Sequence, residues 1–393
     1  NLAEDTEGYA YGGAIFSYRE SSASSMAKPI KFYRCKFIGN MAKAEKSAHG
    51  GALFIEKSAE FFNCLFDSNA AIGGIDIDAN ECCGNAYGGA LFGAPAYYDN
   101  SAQRYQGGKI TIKNSTFVDN TVESKESNRS VYGAAIALGW DYDKKLYMLN
   151  SIIWGSRAIR NGSDWSDIDL NRLHLDKESG TNHKFIMNYS NIENATGRSY
   201  DDTHIYDITP VFKDPSNDDF SLDDASPLIG AGIASWTEEG ITAPTKDINK
   251  ITRGTAPDIG AYENALASST SPLPIAGLKG VSATNSAKLT WSPNKASLTS
   301  TDNATDIKRY EVFQDKSGTF TAVDSTTDTT SVIKGLTNGT SYTFKVRVVN
   351  TSDVASGFSD TIKVTPEFKG PRWYVSNSGV STNVGSSTSP LAH

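Results

Sequence analysis

Tyr11-Gly12-Gly13-Ala14-Ile15-Phe16 returns as His49-Gly50-Gly51-Ala52-Leu53-Phe54 and again as Tyr87-Gly88-Gly89-Ala90-Leu91-Phe92. A worn copy follows at Tyr132-Gly133-Ala134-Ala135-Ile136-Ala137. The first glycine of each copy stands at 12, 50, 88 and 133, in steps of 38, 38 and 45. Self-similarity at a period in this range predicts a stacked, one-dimensional architecture in which each repeat buries its apolar face only against the next.

A second phrase alternates with the first. It reads Ile30-x-Phe32-x-Arg34-Cys35-x-Phe37-x-x-Asn40, then Ala59-x-Phe61-x-Asn63-Cys64-x-Phe66-x-x-Asn69, then Ile110-x-Ile112-x-Asn114-Ser115-x-Phe117-x-x-Asn120. Shorter copies are Leu146-x-Met148-x-Asn150-Ser151-x-Ile153 and Phe185-x-Met187-x-Tyr189-Ser190-x-Ile192. The leading apolar residues alternate at period two, the mark of a strand with one buried face. The apolar residue after Cys or Ser falls on the opposite parity, so the chain bends there, and each repeat reads as two short strands around a corner. Like residues then fall into columns, which suits parallel strands stacked about 4.8 Å apart. Asn63, Asn114 and Asn150 share the corner, where Asn bonds its own backbone or that of the next coil. The Gly-Gly-Ala start leaves room for close backbone approach.

This alternation resembles the right-handed parallel β-helix repeats of bacterial surface proteins, over roughly residues 9–195. The resemblance implies an all-β solenoid and little about activity. Net charge is −8, which argues against nucleic acid and anionic membrane surfaces as partners. No apolar run approaches 18 residues, so no membrane span is expected. The chain starts at Asn1 rather than Met and reads as a mature or excised segment.

A bare coil needs roughly 18–25 residues. The longer repeat steps therefore demand projecting loops, expected at 71–86, 94–108, 121–131 and 155–182, and loops are where function sits. Cys35 and Cys64 share a column in consecutive coils. They read either as a disulfide staple or as small packed residues replaced later by Ser115, Ser151 and Ser190. Cys82 and Cys83 lack zinc-type spacing and read as loop cysteines, one of them a disulfide partner.

Elongated β-helices that cleave acidic polysaccharides resemble this architecture and would need clustered carboxylates, with or without calcium. Asp76 with Asp78, Asp141 with Asp143, and Asp167 with Asp169 are the candidate pairs, but none has a matching cluster on a neighbouring coil, so no catalytic residue is assigned. The histidines (His49, His174, His183, His204, His393) show no ligand spacing, no metal site is assigned, and no cofactor is called for beyond calcium. Binding is better supported. Trp140, Tyr142 and Trp165 stand among Asp and Asn late in the solenoid, with Tyr97, Tyr98 and Tyr105 in an earlier loop, and aromatic faces beside such groups stack on sugar rings and bond their hydroxyls. Tyr147 and Trp154 read as strand cover.

Residues 196–264 leave the repeat. Asp219-Phe220-Ser221-Leu222, Ser226-Pro227-Leu228-Ile229-Gly230-Ala231-Gly232 and Asp258-Ile259-Gly260-Ala261-Tyr262-Glu263 resemble the closing segment of bacterial choice-of-anchor β-helices, with Asp247 and Arg253 in the same pattern. Such a segment is expected to cover the last coil's open strand edges and core. Residues 265–272 have linker composition. Strand patterns at Ala287–Trp291, Tyr310–Gln314, Ser331–Ile333 and Ser341–Val349 predict a small β-sandwich over 273–366. Trp291, Tyr310-x-Val312 and Leu336-Thr-Asn-Gly-Thr-Ser-Tyr342-x-Phe344 resemble a fibronectin type III domain, with Tyr342 as its tyrosine corner. Residues 367–393 resemble the opening of another β-helix. The reading is a non-catalytic segment of a secreted or cell-surface bacterial protein, a rigid stalk or adhesin with glycan-binding loops. A polysaccharide lyase or glycoside hydrolase, and a self-associating filament or sheath subunit, are the alternatives.

Overall fold

The computed structural model describes the chain except residues 7, 18–27, 76–83, 100–103, 140–144, 165–172, 176–183, 196–203, 268–271, 294–306, 368–374, 379–390 and 393. It divides into two compact units, Asn1–Thr270 and Ser271–His393.

The first unit is a parallel β-solenoid. A full coil carries five short strands rather than two, and their stacking makes five sheets. Sheet I holds Ile30–Tyr33, Ala59–Phe62, Ile110–Lys113, Lys145–Leu149 and Lys184–Asn188. Sheet II, which opens with Lys36–Ile38 and Leu65–Asp67, ends on Ile205–Tyr206. Sheet III stacks Leu2–Asp5, Met41–Ala44, Ala70–Gly73, Thr121–Ser124 and Arg157–Arg160, with Ser163–Asp164 folded back on its last strand. Sheet IV stacks Tyr9–Tyr11, Ser47–His49, Ala86–Tyr87 and Val131–Tyr132, and sheet V runs from Ile15–Ser17 to Leu173–Leu175. Thr121–Ser124 lies in the ladder, so the loop expected at 121–131 shrinks to the few residues before Val131.

The parity switch has a backbone cause. Arg34, Asn63, Asn114, Asn150 and Tyr189 all occupy the left-handed region (φ 45° to 55°), turning the chain from sheet I into sheet II. A second left-handed column follows sheet II at Gly39, Ser68, Asp119, Gly155 and Asn194. The next residue begins an asparagine ladder. Asn1 Nδ2 donates to Asn40 Oδ1 (2.9 Å), Asn40 Nδ2 to Asn69 Oδ1 (2.8 Å), and Asn69 Nδ2 to Asn120 Oδ1 (2.9 Å). A serine ladder runs beside it: Ser115, Ser151 and Ser190 each accept, on Oγ, the backbone N–H of the preceding coil at 3.1–3.2 Å. Buried amides and hydroxyls are thereby satisfied coil to coil.

The Gly-Gly-Ala phrase is explained by its second glycine. A Cβ on Gly51 would sit 2.0 Å from the carbonyl oxygen of Gly89, and one on Gly89 equally close to that of Ala134. Among the described residues sheet IV ends on Val131–Tyr132, where the worn copy of the phrase carries Ala134 in place of the second glycine. Inside, columns of rings fill the core: Phe32 lies 4.8 Å from Phe61, and Phe66 lies 4.2 Å from Phe117, both pairs face to face. Truncating one such buried Phe costs about 3–5 kcal/mol.

The closing segment does more than was expected of it. Ile205–Tyr206 extends sheet II, and Asn191 brackets Ile208, donating to its carbonyl (2.9 Å) and accepting its N–H (3.0 Å). The chain then turns back as a strap along the corner between sheets I and II. Asn150 holds both backbone groups of Ile233, Asn114 donates to the carbonyl of Asp258, and Asn63 donates to that of Lys246. The outward residues beneath are accordingly apolar. Tyr147, Leu149 and Ile186 pack under Trp236 and Ile241, while Leu65 and Val118 pack under Phe220, Ile248 and Tyr262. The strap thus cross-links coils along the flank in addition to adding a strand at one end.

The second unit is an antiparallel sandwich. Ala276–Ala283, Ser286–Ser292 and Thr330–Lys334 form one sheet, and Thr319–Thr326, Ile307–Lys316, Tyr342–Asn350 and Ile362–Val364 form the other. Trp291, Tyr310, Val312, Phe344 and Val346 build its core, with Trp291 edge-on to Tyr310 at 5.3 Å. The Tyr342 hydroxyl accepts the backbone N–H of Thr337 at 3.0 Å, the expected tyrosine corner. In the tail, Val375–Ser376 and Leu391–Ala392 pair in parallel.

Candidate functional site

Extra residues leave the solenoid at two places, the connection from sheet V to sheet I and the one from sheet III to sheet IV. In the barest coil Ile55 reaches Ala59 directly. One coil later the same connection carries a hairpin, Pro95–Asp99 against Arg104–Gly107, in which Tyr98 pairs with Tyr105. Trp140 and Tyr142 lie in the next such connection, between Ile136–Leu138 and Lys145–Leu149. Trp165 follows Ser163–Asp164, in the stretch that leads to Leu173–Leu175. Trp140, Tyr142 and Trp165 themselves lie outside the described residues, as do the carboxylate pairs at 76/78, 141/143 and 167/169, and Cys82 and Cys83.

The described aromatic residues are engaged elsewhere. Tyr11, His49 and Tyr87 stack face to face at 5.2 and 5.1 Å, so their faces meet one another and not a sugar. Burial drives the His49 imidazole down to about pKa 3 and keeps it neutral, which fits a structural residue. Tyr147 is buried under the strap with Lys109 Nζ 3.9 Å over its ring, and Trp154 packs beside Phe212, against the cluster of Phe220 and Tyr262. Both are the strand cover expected.

The strongest electrostatic feature is in the strap. Arg253 is buried and donates to Glu263 Oε2 (2.8 Å), Asn63 Oδ1 (2.9 Å) and the carbonyls of Gly260 and Ala261 (2.9 and 3.0 Å). Asp247 accepts the N–H groups of Ile251 and Glu263, and Asp258 those of Gly230 and Asn264. Burial still pushes the Asp258 carboxyl up to about 7. Charges committed to backbone in this way build a clasp; they leave no acid aimed at a substrate. On the flank of sheet II, burial also raises the Asp67 and Asp119 carboxyls. No group of three or more metal-ligating side chains occurs among the described residues, and no described helix is long and apolar enough to cross a membrane. The clasp was only half legible: Asp247 and Arg253 stood out in the sequence, but Asn63, a partner of Arg253, lies 190 positions away from it.

No curated protein matches the chain. Among solved structures, a human fibronectin type III domain from the KIAA0970 protein is 24% identical over 25% of this chain and 75% of its own, with a TM-score of 0.22. The sixth such domain of human fibronectin type III domain containing protein 3 is 23% identical over 26% of this chain and 93% of its own, TM-score 0.22. A β-1,2-glucanase from Parabacteroides distasonis is 21% identical over 28% of this chain and 15% of its own, TM-score 0.21. Residues 274–365 match the fibronectin type III domain family, and the solenoid before them stands on its own ladders.

Proposed function

We propose that this chain is a non-catalytic, load-carrying segment of a secreted or cell-surface protein, whose coil loops bind glycan through Trp140, Tyr142 and Trp165. One observation carries the reading. Tyr11, His49, Tyr87 and Tyr147 are spent on stacking and on the strap, whereas in sequence Trp140 and Tyr142 stand between the strands Ile136–Leu138 and Lys145–Leu149, and Trp165 between Ser163–Asp164 and Leu173–Leu175. Aromatic residues placed in loops on a rigid frame stack on sugars with little ordering cost. The frame is rigid because each coil adds ladder bonds and core area to its neighbours and the strap ties the flank.

A glycan array, run with and without calcium and followed by product analysis of each hit, tests this. Binding without turnover, weakened at least tenfold by Trp140→Ala or Trp165→Ala, is the expected result. Shortened or unsaturated products would overturn the non-catalytic claim in favour of a lyase or hydrolase. Absence of binding would remove the glycan role and leave a scaffold or filament subunit.

A further inference from the structure

We infer that Cys35 and Cys64 form an oxidisable pair, closed by a small disulfide oxidant into a cross-link between the first two full coils. The register makes them neighbours. Tyr33 pairs with Phe62 in sheet I and Lys36 with Leu65 in sheet II, so the residues between stand level on adjacent coils. One strand spacing, about 4.8 Å, falls inside the Cα separation that a disulfide spans, about 4.4–6.8 Å. Both side chains face the same core cluster, Cys64 buried and Cys35 half-buried. Cys35 Sγ donates to the carbonyl of Tyr33, and Cys64 Sγ reaches back to that of Phe32 on the preceding coil as well as to Phe62, each at 3.6 Å, so both sulfurs are held at the same corner.

The rest of the column sharpens the point. In later coils this position is Ser115, Ser151 and Ser190, whose hydroxyls accept the N–H of the preceding coil. Sulfur is the poorer acceptor, so the first two coils give up ladder strength at this site and hold sulfur chemistry in its place. Among the described strands, Ile30–Tyr33 and Lys36–Ile38, which flank Cys35, each pair on one side with the strands that flank Cys64. A covalent tie acts most where a stack frays.

Cys35 is the more exposed of the two, and the neighbouring Cys64 thiol holds its thiol below the usual range, so it attacks first. Its thiolate displaces one thiolate from the oxidant's disulfide to give a mixed disulfide. The Cys64 sulfur, giving up its proton, then attacks the Cys35 sulfur and releases the second thiol. Two protein thiols are oxidised by two electrons, and one oxidant disulfide becomes two thiols that carry both protons away.

The test uses the full chain with Cys82→Ser and Cys83→Ser, which removes the other two cysteines, and oxidised glutathione as oxidant. Non-reducing peptide mapping of the folded protein is expected to show the Cys35 and Cys64 peptides joined, both free thiols lost, and a thermal midpoint raised by roughly 5–15 °C and restored by reductant. Cys64→Ser should instead trap glutathione on Cys35. Adding Cys35→Ser and Cys64→Ser together, which extends the serine column, should keep the fold with no redox-dependent shift. Glutathione remaining on Cys35 while Cys64 is present, or two unmodified thiols in the folded protein, would overturn the inference.

Discussion

At the scale of single residues, His49 replaces the tyrosine found at 11, 87 and 132, and its ring nevertheless continues the stack. Its pKa near 3 has a consequence for stability. Below about pH 6.5 the unfolded chain protonates this imidazole while the fold keeps it neutral, so its contribution is complete above 6.5 and is lost as pH falls toward 3, at about 1.4 kcal/mol per pH unit. Asp258 runs the other way. With its carboxyl raised to about 7, the fold keeps a proton that the unfolded chain releases above about 3.8, so that contribution is present at low pH and fades as pH rises toward 7. The two oppose each other between about pH 4 and 6.5. His49→Tyr should remove the first trend, so its stability relative to the parent should grow by about 1.4 kcal/mol per unit below pH 6.5. Urea midpoints of both proteins at several pH values check this, and a difference constant with pH would show that His49 does not titrate on unfolding.

At the scale of elements, the strap is held by one buried cation and a column of corner asparagines. Arg253→Ala would strand Glu263, Asp247 and Asp258 without their counter-charge and leave Asn63 Oδ1 short of a donor. Breaking a buried pair from one side costs about 3–5 kcal/mol. Arg253→Lys keeps the charge but not the forked geometry that reaches Glu263, Asn63 and two carbonyls together, so it should recover only part. The expected readout is protease cleavage within 233–264 under conditions where Ile110–Lys113 and its ladder neighbours stay intact; equal resistance in Arg253→Ala would mean the apolar contacts of Trp236 and Tyr262 hold the strap unaided. The corner itself was legible, because Asn at 63, 114 and 150 tolerates a left-handed backbone. That the same amides reach outward to receive a returning segment was not, since no local pattern announces contacts across so much chain. The strands of sheets III and IV were missed for a related reason: Met41–Ala44, Ala70–Gly73 and Ser47–His49 are small and mixed, with burial set by stacking and not by alternation.

At the scale of the whole molecule, repeat spacing foretold stacked parallel sheets in one unit, and strand spacing with Tyr342 foretold the sandwich in the other. The candidate glycan residues were chosen by type and by their place outside the repeat, and Trp140, Tyr142 and Trp165 lie outside the described residues. A loop's own geometry is set by neighbours that no repeat dictates, which is why sequence could name those residues but not arrange them. Stacking does dictate how stability is distributed. Leu2, Tyr9 and Phe16 on the leading partial coil are 57%, 45% and 49% exposed, whereas Phe61, Phe66 and Phe117 in the middle are fully buried. Among the described strands, Leu2–Asp5, Tyr9–Tyr11 and Ile15–Ser17 are bonded on one side and the middle strands on both, and in a one-dimensional array of this kind opening starts where ladder bonds are fewest. Native-state hydrogen exchange should therefore rise from strong protection at Ala59–Phe62, Ile110–Lys113 and Thr116–Val118 to weak protection at Leu2–Asp5, Tyr9–Tyr11 and Ile15–Ser17. Because the strap fastens coils along the flank of sheets I and II, Arg253→Ala should steepen this gradient, loosening Lys36–Ile38 and Ser190–Ile192 before the middle coils. Protection that is uniform along the stack, or lost from all coils at once in the variant, would mean that the solenoid opens as a single cooperative block and not coil by coil.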